Sequence, residues 1–372
     1  MPSPGPSRFS TGDLVGPLLI FVGGFLLAAA LALPTLYVDT LRTIPLSTDV
    51  TTVAPAKGTA RILDPCSLDA PTARVVDAEL TRQQRYVAVR PADADRVTLQ
   101  AGTSIRAEHD ATPCTDPTIT AVRDRVTLNR ATAEPDLISG AGDQPGSSEI
   151  QYDSNTAPVR VPDRHGFTYL LPFDVTESDH VYFDITTRRA VPLRYSGETT
   201  VHGRDAARFV ADIPDTDLHQ IGSGSPDGTP PTMITRPAAW FGVPGVDPSR
   251  EVTATLHHSG HVELAVDIAT GTILDEQITV EQTYRFTDLT LPDHRLTNLQ
   301  ATFAFDDQTR RRQSERATAL ATPVTVWGRV IPILAAIAGV GAIAGGLIVI
   351  NPAWRPRRRA TSPSGADPPL SS

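Results

Sequence analysis

The residues best suited to chemistry are His257, His258 and His261, the one histidine cluster in the chain. If Ser259-Gly260 is a two-residue turn, His258 and His261 face each other across a hairpin, close enough to share a metal ion or titrate as a pair. No third ligand stands at a fixed spacing from them, so exposed turn histidines are expected and the metal pair is the weaker reading. Nucleophile chemistry finds no support, because no serine sits in a Gly-x-Ser-x-Gly elbow. HExxH is absent, and the single lysine, Lys57, lies in no phosphate-binding loop. Carboxylates are plentiful, but no spacing assigns two of them to a common cleft as a glycosidase dyad requires. The expectation is therefore no catalytic residue and no cofactor, with a non-enzyme favoured over an envelope hydrolase.

Cys66 and Cys114 are the only cysteines, and neither has a CxxC, CxxxC or His-paired spacing. One disulfide is the natural reading; two unpaired structural thiols are the alternative. A bridge closing a loop of this length stabilises a domain by about 4 kcal/mol in the chain-entropy model and needs an oxidising compartment.

Two long uncharged stretches must anchor whatever these residues do. The first runs from Leu14 to Val38 and the second from Val330 to Trp354. About twenty apolar residues cross a bilayer as a helix, so both suffice. The predicted order is an N-terminal segment 1–13, a membrane helix over 14–38, a domain over 39–329, a second membrane helix over 330–354, and a disordered tail over 355–372. Ala30-Leu31-Ala32 offers a signal-peptidase site, but the apolar run is long for a signal peptide and Pro34 follows closely, so an uncleaved anchor is preferred. Gly341 and Gly345 form a GxxxG, and Gly24 with Ala28 gives a similar small-residue spacing. Such faces admit close backbone approach, between the two helices or in a dimer. Arg355, Arg357, Arg358 and Arg359 mark a cytoplasmic flank, which places both termini in the cytoplasm. Arg310, Arg311, Arg312, Arg316 and Arg329 precede the same helix and oppose that count, although long loops cross largely regardless of charge.

Residues 37–329 carry 40 Asp and Glu against 28 Lys and Arg. That acidic balance argues against nucleic acid and against polybasic binding to anionic lipid. From Thr72 onward, short β-branched runs such as Tyr86-Val87-Ala88-Val89, Val97-Thr98-Leu99 and Val181-Tyr182-Phe183 alternate with Asp, Gly and Pro. This predicts a mainly β, antiparallel domain, a sandwich or an open curved sheet, with one membrane helix at each end. Hairpin turns are expected at Thr200 to Arg204 and at Asp267 to Gly271, and Asp184-Ile185-Thr186-Thr187 resembles the second. Asp-Arg-Val-Thr-Leu occurs at 95–99 and again at 124–128. Glu134 to Asp163 and Pro214 to Arg250 read as long loops, the latter with Trp240 and Phe241 tucked onto the core. A final helix is predicted over 306–322, N-capped near Asp306, with Trp327 at the membrane interface.

Several blocks together resemble an actinobacterial two-pass membrane protein family of unknown function whose members are often labelled porin PorA family proteins. They are Leu41-Arg42-Thr43-Ile44-Pro45-Leu46-Ser47-Thr48-Asp49, Arg164 through Phe173, Val181 through Pro192, and Tyr195-Ser196-Gly197-Glu198 through Phe209. The resemblance covers the chain from the first helix to the second. It implies the two-pass architecture and an envelope location, and no catalytic residues. With the cysteine pair, it places the large domain outside the plasma membrane. A pore requires a closed barrel or helices with a polar stripe, and two wholly apolar helices read instead as anchors. The leading expectation is a non-enzymatic envelope protein whose outer domain binds or positions an envelope lipid, glycan or protein. A porin or channel component is the alternative. The lipid bilayer is the one firm partner.

Overall fold

The computed structural model describes residues 11–108, 118–137, 146–288 and 290–351. In chain order its elements are α1 (Thr11–Ala32), α2 (Val38–Leu41), β1 (Asp49–Pro55), β2 (Ala60–Leu63), β3 (Val75–Ala78), β4 (Leu80–Ala92), β5 (Arg96–Ala107), β6 (Thr118–Asn129), β7 (Ser148–Gln151), β8 (Val159–Arg160), β9 (His180–Asp184), β10 (Arg189–Val201) and β11 (Arg204–Asp217), followed by α3 (Leu218–Ile221), β12 (Met233–Pro237), α4 (Ala238–Phe241), β13 (Glu251–Asp267), β14 (Ile273–Phe286), β15 (Arg295–Ala304), α5 (Asp307–Thr325) and α6 (Ile331–Ile350). The chain divides into two compact units, Met1–Leu41 with Pro323–Ser372, and Arg42–Thr322.

The first unit is a pair of apolar helices. Helical spans at Leu14–Leu41 and within Asp307–Ile350 are long and apolar enough to cross a membrane. Single π turns interrupt them at Leu33–Tyr37 and Val326–Val330. The helices meet at glycines seven residues apart. A Cβ on Gly23 would stand 2.7 Å from the Gly339 carbonyl, and one on Gly346 would stand 2.8 Å from the Gly16 carbonyl. Gly24, Gly341 and Gly345, which the small-residue spacing singled out, have open space where a Cβ would stand. The helix contact therefore follows a seven-residue repeat rather than GxxxG. Tyr37 and Trp327 pack edge to face, with ring centroids 5.3 Å apart.

The second unit is mainly β, as predicted. One sheet has the order β1-β4-β5-β6-β7-β8; the other runs β3-β2-β15-β14-β13-β11-β10-β9, with β12 beside β13. All of these pairings are antiparallel. The sheets are open and do not close into a barrel, and an isolated bridge from Ala56 to Phe303 ties them together. Alternation along each strand sends one set of side chains between the sheets. Val50, Tyr86 and Leu99 of the first sheet share a core with Ile62, Phe209 and Val262 of the second. The repeated Asp-Arg-Val-Thr-Leu segments pair with each other. Thr98 stands opposite Thr127, and their hydroxyls lie 3.0 Å apart.

Both expected turns form. His202 and Gly203 take positive φ between β10 and β11. At the β13–β14 turn, Asp267 accepts from the Thr270 amide and hydroxyl at 2.9 and 2.7 Å. Asp184 accepts from Thr187 in the same way, at 2.7 Å for both bonds. Gly271 has φ +68°, and a Cβ there would lie 2.0 Å from the Leu171 carbonyl, so no other residue fits. The expected loops hold more structure than their composition suggested. Glu134 to Asp163 contains β7 and β8, and Pro214 to Arg250 contains α3, β12 and α4. Short strands and one-turn helices leave too few residues for a periodic signal. Trp240 and Phe241 are buried, as expected, and Trp240 Nε1 donates to the Ser67 carbonyl at 2.9 Å. The Asp306 carboxylate accepts from the Thr309 amide at 2.6 Å and caps α5 as predicted.

Candidate functional site

β13 does not turn at Ser259-Gly260. It runs straight through, with Gly260 paired to Ile213 on one side and Val280 on the other. This corrects the hairpin reading of the histidines: a seventeen-residue strand in mid-sheet overrides the local turn signal of Ser-Gly. Alternation then separates the pair. His258 is buried between the sheets, whereas His257 and His261 lie on the other face. There, His257 Nδ1 is 3.2 Å from Asp215 and His261 Nδ1 is 2.7 Å from Asp212. His258 and His261 therefore do not share a metal. Among the described residues no three His, Cys, Asp or Glu side chains group to hold one.

His258 instead helps line a cavity of about 110 Å³ between the sheets. β4 and β5 supply Arg82, Gln84 and Thr103, β14 supplies Glu276 and Gln282, and Asp184 ends β9. Arg82 pairs with Glu276 at 2.7 Å, a buried ion pair joining the two sheets across the interior. Asp184 is already engaged by Thr187. Burial lowers the pKa of His258 despite the opposing fields of Asp184 and Asp215, keeping the imidazole neutral at neutral pH. Burial also raises the pKa values of Tyr152 and Tyr182 on the cavity wall, so both phenols stay protonated. The buried Ser223 hydroxyl lines the cavity beside the Tyr152 phenol.

A second cavity of about 220 Å³ lies alongside, walled by Leu63, Pro65, Leu68, Ile119, Pro231 and Tyr284 among others. Thr229 and Pro230 belong to both walls. The interior thus has a compartment with a mixed polar and aliphatic lining and a more apolar one in immediate succession. Cys66 lies between two residues of the apolar wall region, Pro65 and Leu68, whereas Cys114 is outside the described residues.

Asp184 was legible in the sequence only as a turn residue, and none of Arg82, Gln84, Glu276 or Gln282 stood out. Their common signal is polar residues at inward positions of otherwise apolar strand faces, as in Leu80-x-Arg82-x-Gln84-x-Tyr86 and Glu276-x-Ile278-x-Val280-x-Gln282. That signal has meaning only once register and face are known. Farther along the interior, Arg164 donates to Asp124 at 2.7 Å, and Tyr169 donates to the other carboxylate oxygen at 2.5 Å. Burial works against the Arg164 charge, but the Asp124 carboxylate prevails and holds its pKa above the ordinary value.

A family model described as Porin PorA matches residues 15–348, both helices and the whole β unit. The chain belongs to the Porin PorA family. Two relatives named Porin PorA resemble it at lower coverage. The one from Corynebacterium amycolatum is 28% identical over 234 residues, 55% of this chain and 58% of the relative. That from Corynebacterium resistens is 27% identical over 229 residues, 55% of this chain and 54% of the relative. The chain spans little more than half the length of these Porin PorA relatives.

Proposed function

We propose that this Porin PorA family member is anchored in the plasma membrane by its two apolar helices and holds an amphiphilic envelope molecule, a lipid in the broad sense, between its sheets. The observation that carries this reading is the succession of a cavity of mixed lining, with its buried polar groups, and a more apolar one, sharing Thr229 and Pro230, inside a single sandwich. Together they reach the lower end of the range of about 300–1,000 Å³ typical of small-molecule sites. An amphiphile would satisfy both at once: its polar part meets the Ser223 hydroxyl and its neighbours, and its chain lies against Leu63, Leu68 and Tyr284. Export of the β unit, with both termini cytoplasmic, belongs to the same proposal and rests on the arginine cluster at 355–359 and on the cysteine pair.

The test is mass spectrometry of lipid extracted from full-length protein purified from actinobacterial membranes. The expected result is one amphiphile enriched to near stoichiometry, lost from a Ser223→Phe variant that remains folded. Recovery of bulk membrane lipid alone, equal in both proteins, would overturn the reading. The family name supports a second reading, a channel component. Stepwise conductance of the purified chain in planar bilayers would favour it. Against it stand open sheets rather than a closed barrel, and helices without a polar stripe.

A further inference from the structure

The hydrogen bonds behind His258 determine which of its nitrogens carries the proton. Asn298 Nδ2 donates to Gln282 Oε1 at 2.9 Å, which turns the Gln282 carbonyl toward β15 and its NH₂ group toward β13. That NH₂ group meets His258 Nδ1 at 3.3 Å. An amide nitrogen donates and does not accept, so Nδ1 is the acceptor and the neutral imidazole carries its proton on Nε2. The chain Asn298–Gln282–His258 crosses from the more apolar compartment, whose wall includes Asn298, to the one of mixed lining. Arg82 is paired with Glu276, and the Asp184 carboxylate accepts from the Thr187 amide and hydroxyl.

We propose that His258 is the ligand-positioning residue of the cavity, its Nε2–H donating to an uncharged acceptor oxygen, a hydroxyl or ester oxygen, in the polar part of the bound amphiphile. This rests on the cavity being a binding site. A neutral, oxygen-bearing headgroup gains the hydrogen bond that the Nε2–H offers.

The experiment uses the full chain in lipid nanodiscs, with empty nanodiscs as the blank. Calorimetric titration uses monodecanoylglycerol, which is expected to bind; one buried hydrogen bond to a polar group is worth about tenfold in affinity. His258→Phe is expected to weaken monodecanoylglycerol by about tenfold, and His258→Gln to restore it, because the glutamine NH₂ reaches the place of Nε2. Undiminished binding to H258F would overturn the inference and leave the cavity reading standing. In parallel, proton-coupled nitrogen NMR of histidine-labelled protein reads the tautomer directly, with the His258 signal identified by its loss in H258Q. A proton on Nδ1 would overturn the inference whatever the titration shows. Absence of monodecanoylglycerol binding with the proton found on Nε2 would instead count against the cavity reading alone.

Discussion

Asp124 and Arg164 have side chains each 1% exposed and hold each other at 2.7 Å, with the Tyr169 hydroxyl on the second carboxylate oxygen. Removing one member of such a pair leaves the other charged and buried, which costs about 3–5 kcal/mol. Asp124→Ala should therefore destabilise the β unit by that amount in urea unfolding followed by near-UV circular dichroism. The double variant with Arg164→Met should lose markedly less, since neither charge is then stranded. His258 sets a pH limit of its own. Its pKa in the folded chain lies below the ordinary value of 6.5, chiefly through burial. Between those two values the unfolded chain binds a proton that the folded chain does not, so stability falls as pH drops below about 6.5. The melting temperature should decline across that window in the wild type and decline less in His258→Gln. A flat profile in the wild type would remove His258 as a source of acid sensitivity. The carboxylates of Asp49, Asp93 and Asp212, held low by hydrogen bonds from partners such as Arg85, Arg96 and His261, act only at more acidic pH.

Among the elements, the two apolar helices pack through Gly16 and Gly23 against Gly339 and Gly346, where an added Cβ would collide with backbone carbonyls. Gly23→Ile or Gly346→Ile should separate the helices and lower the thermal midpoint of the helical signal in detergent. Gly341→Ile with Gly345→Ile should leave that midpoint unchanged, because among the described residues nothing stands within 4 Å of a Cβ at those positions. Equal effects at both sets would contradict the observed packing. The segment between β11 and β13 is held by Trp240, 2% exposed, stacked edge to face on Phe241 and hydrogen-bonded to Ser67. Its aromatic body packs with Leu218, Ile234 and Val243 in a cluster distinct from the main core. Trp240→Ala should cost about 3–5 kcal/mol, the usual loss for a buried aromatic, read as a shift in the urea midpoint.

For the whole molecule, the two units give different kinds of evidence. The helix pair explains attachment to a bilayer by length and composition. The sandwich encloses the two cavities on which the proposed binding reading rests. The proposed export of the sandwich predicts a Cys66–Cys114 bridge, so non-reducing peptide mass spectrometry of protein from intact cells should recover the two cysteine peptides linked. Two free, alkylatable thiols would argue for a reducing compartment and against the proposed side of the membrane.

Hydropathy and alternation are local properties, and they determined what is local here. The two apolar helices, the antiparallel β class, the Asp267–Gly271 and His202–Gly203 turns and the Asp306 cap all follow from residues within a few positions of one another. The interior site is different in kind. Arg82 meets Glu276 across 194 positions of chain, and His258 parts from His261 because the strand between them stays straight. Only strand register decides which face a residue occupies, and only the packing of one sheet on the other decides what it meets there. The histidine cluster, read locally as exposed turn residues with a metal pair as the weaker alternative, thus became one buried hydrogen-bonding group and two surface residues paired with aspartates, a difference that tertiary structure alone could settle.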